Sequence, residues 1–117
     1  MISNWQKGRQ GENLANDFLR KKGFEILDTN WRFQHKEIDI VAMKDNEIVF
    51  VEVKARRDTT FGRPEEAVDH QKQKHLIEAA EAYIIEKDIS LNVRFDVISI
   101  INNDQIRHYE YAFYPEF

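Results

Sequence analysis

At 117 residues and 42% hydrophobic, the chain holds enough apolar mass for one domain, residues 1–117, with its own core. It has no cysteine, which excludes a disulfide framework, a thiolate metal site and a thiol nucleophile, and its net charge of −4 argues against a protein that coats nucleic acid nonspecifically. Met1 to Lys7 lacks the apolar core of a leader and no apolar stretch is long enough to span a bilayer, so a cytoplasmic protein without a membrane partner is expected.

The first predicted element is a helix from about Ser3 or Trp5 to Lys22, stopped by Gly23 with lysines in its last turn. Leu14, Ala15, Phe18 and Leu19 form its apolar stripe. Glu12 falls on that stripe, three residues before Ala15 and seven before Leu19, whereas Asn16 and Arg20 fall on the solvated face. Phe24 to Asp28 opens a sheet and Asn30 to Phe33 continues it after a bulge. Glu37 to Met43 is an apolar strand interrupted by Asp39. The short polar link Lys44-Asp45-Asn46-Glu47 then predicts an antiparallel hairpin into Ile48 to Ala55. That second strand is an almost unbroken apolar run, the pattern of a strand covered on both faces, broken only by Glu52 and Lys54. Because side chains alternate along a strand, both point to the side shared by Ile48 and Phe50.

Arg56 to Pro64 is polar and contains glycine and proline, which predicts a mobile loop beside the charged strand. A second helix is predicted from Glu65 or Glu66 to about Lys87, with Val68, Leu76, Ala79, Ala80 and Tyr83 on one face. Lys72 lies midway between Val68 and Leu76 and points inward or along the edge of that face. Strands from Asn92 to Ile101 and from Gln105 to Tyr114 follow, joined by Asn102-Asn103-Asp104, which has hairpin-turn composition. The last strand alternates Tyr109, Tyr111 and Phe113 against Glu110, Ala112 and Tyr114. The order is αβββαββ, with no internal repeat, linker or low-complexity tract.

With a simple hairpin register, Asp39 lies near Glu52 on one face. Two carboxylates about 4 Å apart at an effective dielectric near 20 repel by roughly 4 kcal/mol, much of a domain's net stability, so a positive charge must sit between them. A hard divalent cation such as magnesium takes oxygen ligands and needs only one or two carboxylates plus water and substrate phosphate. Lys54 alone is the plain alternative. Glu12, arriving from the helix, adds a third acid and strengthens the case for a cation.

Asp39, twelve intervening residues and then Glu52-Val53-Lys54 resemble the D-x(n)-E-x-K core of the PD-(D/E)XK nuclease superfamily. Gly8-Arg9-Gln10-Gly11-Glu12, Asn30-Trp31-Arg32, Glu37-Ile38-Asp39-Ile40-Val41, Val49 to Lys54, Phe61-Gly62, Lys72 and Arg94-Phe95-Asp96-Val97 together resemble the YraN-like family, a poorly characterised group similar in design to archaeal Holliday junction resolvases. The short core pattern is weakly specific, the ordered set strongly so, and it spans Lys7 to about Ile100. The pattern departs at Lys36, where the family has glycine before the Glu-Ile-Asp segment.

The resemblance implies an α/β, restriction-endonuclease-like core in αβββαβ order, with a central mixed sheet flanked by helices. It further implies a metal-dependent endonuclease acting on DNA, branched or structured forms included, with one or two Mg or Mn ions and with a homodimer among the compatible assemblies. Asp39, Glu52 and the Val53 carbonyl would bind metal, Glu12 would add a third acid, and Lys54 would complete the catalytic set by positioning or helping to deprotonate water. Arg56, Arg57, Arg63 and Lys72 would contact nucleic acid. Each residue also has a structural reading: a self-satisfied ion network for the acids and Lys54, a snorkelling stem for Lys72, a solvated loop for the arginines. The histidines 35, 70, 75 and 108 show no ligand spacing, and the aromatic last strand fits sheet packing or a dimer surface. The competing functions are a non-catalytic nucleic-acid-binding module and a partner-dependent or assembly subunit on the same fold.

Overall fold

The computed structural model describes residues 4–56, 68–102 and 104–115. Helix α1 (Asn4–Lys21) is followed by β1 (Glu25–Phe33), β2 (Lys36–Lys44), β3 (Glu47–Arg56), α2 (His70–Lys87), β4 (Asn92–Ile101) and β5 (Gln105–Phe113). The five strands form one mixed sheet in chain order, antiparallel except for the central β3–β4 pair, which is parallel and connected through the segment that contains α2. This α/β architecture is compatible with a restriction-endonuclease-like fold. None of the described helices is long and apolar enough to cross a membrane.

The helices cover opposite faces. On one, Ala15 and Leu19 of α1 pack with Phe24, Ile40, Val49, Val51 and Ile98. On the other, Leu76, Ala79, Ala80 and Tyr83 of α2 pack with Ile48, Phe50, Phe95 and Val97. Residues 48–51 therefore alternate between the two clusters, which is why β3 is apolar on both faces. Asn16 departs from expectation. It is buried at 9% exposure while Arg20 is exposed, because the sheet under α1 covers a wider arc of the helix than its apolar stripe marks.

Local chemistry fixes the ends of these elements. At the end of α1, the Phe24 N–H donates to the Leu19 carbonyl and the Gly23 N–H to that of Arg20, with Gly23 at φ 92°: a Schellman cap whose Phe24 and Leu19 share a core cluster. Helix α2 starts at His70 rather than near Glu65 or Glu66, which lie outside the described residues. Asp69 caps it by accepting the Lys72 N–H at 2.8 Å, and Val68 sits before the helix, still fully buried. The β2–β3 turn narrows to Asp45 and Asn46, both at positive φ as in a type I′ turn. At the β1–β2 turn, Lys36 stands opposite Phe33 and reaches Glu78 at 2.9 Å.

Alternation in β5 fails at Tyr111. This residue has φ 53°, and the β4–β5 register shifts between Phe95 and Val97, so Tyr109, Ala112 and Phe113 all meet the α2-side cluster. The buried Asp96 holds that irregularity. Its carboxylate accepts the Tyr111 N–H at 3.1 Å and a bidentate pair from Arg94 at 3.0 and 2.9 Å. His108 lies 2.7 Å from Asp96 through Nε2 and 2.8 Å from the Lys22 ammonium through Nδ1; an ammonium has no lone pair, so Nδ1 accepts and Nε2–H donates. Burial pushes the Asp96 carboxyl up, but the bonds from His108 and Arg94 outweigh it and hold the group below the usual carboxylate range. Its stabilising contribution is therefore present above the ordinary aspartate value and lost as pH falls below it. Arg94→Met, which strands the buried carboxylate, is expected to destabilise by about 3–5 kcal/mol, read as a lower urea midpoint at pH 7.

Candidate metal centre

The β2–β3 ladder pairs Ile40 with Val51 as its last step toward the β3 C-terminus. The next opposed residues are Asp39 and Glu52. Instead of continuing the ladder, Asp39 accepts the Val53 N–H on Oδ2 at 2.8 Å, so a side chain replaces a strand carbonyl and the strands part. Ile38 and Ile40 accordingly fall in different clusters although they are two residues apart.

This slip brings Asp39 toward α1. Glu12, Glu37 and Asp39, all half-buried, each offer a carboxylate oxygen within 4.8 Å of the others. Sequence reasoning missed Glu37. Its signal was its place two residues before Asp39, on the same strand face by alternation. Glu12 is fixed by the Asn30 side-chain amide, which donates to Oε2 at 2.9 Å. Glu37 has an exposed Arg32 at 3.7 Å.

Glu52 stands outside that trio. Asp39 gathers with Glu12 and Glu37, and Glu52, which keeps the face of Ile48 and Phe50 and meets Lys72 of α2, still lies near enough to be the strongest charge acting on the Asp39 carboxyl. Its Oε1 has Lys54 Nζ at 3.5 Å and Lys72 Nζ at 3.7 Å, and its Oε2 is buried with no hydrogen-bond partner among the described residues. The two sets still feel each other. Burial and the Glu52 charge push the Asp39 carboxyl up to about 7; Glu12 and Glu37 add to the rise and the Val53 N–H opposes it.

Four carboxylates thus converge near the start of β2 and the C-terminal half of β3, and among the described residues two lysines and one exposed arginine lie beside them. The donors are carboxylate oxygens, the set a hard divalent cation takes, and the orphaned Glu52 oxygen is the kind of buried acceptor that such an ion satisfies. The residues present therefore fit Mg or Mn. Val53 lies beside Asp39 through its peptide N–H. Of the arginines, Arg56 ends β3, while Arg57, Arg63 and the remainder of the Arg56–Pro64 loop expected to be mobile lie outside the described residues.

A sequence model of the uncharacterised protein family UPF0102 matches residues 11–100. Among similar proteins, a UPF0102 protein of Bacteroides thetaiotaomicron is 47% identical over 118 residues, 98% of each chain. The UPF0102 protein FP2501 of Flavobacterium psychrophilum is 46% identical over 110 residues, 92% of each. One from Persephonella marina is 44% identical over 110 residues, 93% of this chain and 94% of its own.

The raised Asp39 value sets a sign. Between the ordinary 3.8 and about 7 the folded chain holds a proton that the unfolded chain has released, so the cation-free protein loses stability as pH rises through that window. Asp39→Asn keeps an oxygen for the Val53 N–H and removes the charge. It is expected to raise the cation-free unfolding free energy at pH 8 by on the order of 2 kcal/mol and to leave it near wild type at pH 4, checked by urea titration in chelator.

Proposed function

Because the chain belongs to the uncharacterised protein family UPF0102, the YraN family of the restriction-endonuclease-like superfamily, we propose that it is a metal-dependent endonuclease that hydrolyses phosphodiester bonds of DNA, with branched or structured DNA as its preferred form. The observation that carries this reading is the excess, among the described residues, of carboxylate around Asp39 over the cationic side chains beside it. A purely structural network gains nothing from gathering like charges, since each unpaired acid costs desolvation and repulsion.

In this reading Asp39 and Glu52 would hold Mg or Mn with the Val53 carbonyl, and Glu12 and Glu37 would complete the acidic side. A divalent ion bound there would supply Lewis acidity, making water easier to deprotonate and offsetting charge that builds on the phosphoryl oxygens. The chain's own groups do the rest. The Val53 N–H fixes Asp39, so the ligand is pre-oriented and little order is lost on binding. Lys54, about one-third exposed and held beside Glu52, can turn its ammonium to the scissile phosphate and orient the attacking water. Lys72, on α2 beside Glu52, can bind an adjacent phosphate.

A groove of about 490 Å³ flanks the same helix, lined by Lys36, His70, Gln71, Lys74, His75 and Glu78. Its basic groups suit a phosphate backbone running past the site, although the chain as a whole is acidic. A second reading, a nucleic-acid-binding module without turnover, draws on the two lysines already paired with Glu52. Symmetric cutting of a junction would use two copies, and the β5 edge with its exposed Tyr111 and Tyr114 offers a surface for that pairing.

Cleavage of a labelled panel (four-way junction, flap, duplex, single strand and RNA) in Mg or Mn is expected for the wild type. Glu52→Gln should reduce it by roughly 100-fold or more, and chelator should abolish it. Binding without cleavage of any substrate would favour the module. Lys74→Ala is expected to weaken DNA binding similarly for all sequences and to reduce the slope of log affinity against log salt by about 1.

A further inference from the structure

We propose that Asn30 is a positioning residue of the metal centre, aiming the Glu12 carboxylate at Asp39 with a neutral hydrogen bond; this rests on the metal-centre reading and adds a group that it does not contain. The backbone is the first observation. β1 pairs with β2 at Thr29–Ile40 and at Trp31–Ile38, so Asn30 stands opposite Asp39, at the step where pairing is interrupted. On its other side Asp39 is the first β2 residue past the last β2–β3 pair, Ile40–Val51, so Asn30 and Asp39 share the step at which both ladders are interrupted.

Asn30 has φ 51°, a left-handed conformation that asparagine tolerates better than most residues. Its neighbours show what that conformation does. Asp28 bonds the Tyr83 hydroxyl of α2 at 2.7 Å, and Trp31 packs edge-on to Tyr83. Regular alternation would send Asn30 to the same side as Asp28. The positive φ instead turns its amide to the α1 side, where Nδ2 donates to Glu12 Oε2 at 2.9 Å.

The chemistry of the donor is the second observation. A lysine or arginine at this place would hold Glu12 equally well but would cancel its charge. An amide orients one carboxylate oxygen and leaves the charge intact, and the Val53 N–H does the same for Asp39. Both acids are therefore held by neutral donors, the arrangement by which outer partners fix ligands without competing with a cation.

The test uses Mn binding to the full-length chain by titration calorimetry, with thermal unfolding alongside. Asn30→Gly keeps access to positive φ and deletes the donor; it is expected to weaken Mn binding about tenfold with a midpoint near wild type. Asn30→Lys still offers Glu12 a donor but adds a positive charge that competes with a cation; it is expected to weaken Mn binding at least as much as Asn30→Gly without lowering the unfolding midpoint. This second variant keeps the role testable if Asn30→Gly does not fold. Wild-type Mn affinity in either folded variant would overturn the role of Asn30 while leaving the metal centre standing. Absence of Mn binding by the wild type would overturn both.

Discussion

The hydrogen bond from the Val53 N–H to the Asp39 carboxylate determines where the hairpin ends and where the acids meet. A ladder that continued past Ile40 and Val51 would leave Asp39 and Glu52 as an ordinary cross-strand pair of like charges, which is destabilising. By substituting its side chain for a backbone partner, Asp39 satisfies the Val53 donor, parts the strands and swings toward α1. The same act raises its own proton affinity, since it moves into a crowded and partly buried group of acids.

Asp96 makes the same kind of bond elsewhere on the sheet, with the opposite electrostatic outcome. There a buried carboxylate accepts the Tyr111 N–H across a register shift, but Arg94 and His108 bond it as well and its pKa falls. One irregularity is fully compensated and stabilises the fold. The other, among the described residues, is left with excess negative charge. A fold that compensates one such site and leaves the other short of positive charge separates its structural polar network from the place where it can bind something, the usual division between stability and function.

Much of the site was legible because charged residues inside apolar runs violate an otherwise consistent pattern. Asp39, Glu52 and Lys54 interrupt strands that are covered on both faces, and Glu12 interrupts a helical stripe. Glu37 was not legible in the same way, since an acid at the polar start of a strand breaks no rule. Asn30 carried only the general tendency of asparagine for turns, and its left-handed φ inside a strand depends on the partners around it. His108 has no ligand spacing in sequence, yet the fold buries it between Asp96 and Lys22, residues 12 and 86 positions away.

The sequence by itself determined the order of elements, the boundaries of β4, the Gly23 stop after α1, the two-sided burial of β3 and the family to which the chain belongs. These follow from local signals: periodicity, turn chemistry and ordered motifs read within a few residues. Only the tertiary structure decided that Glu52 meets Lys72 of α2, that Glu37 joins Glu12 and Asp39, and that α2 starts at Asp69–His70. A break in strand pairing depends on which hydrogen-bond partner wins at that step, and that competition involves residues distant in sequence. A single slip in alternation then sends side chains to the opposite face of the sheet.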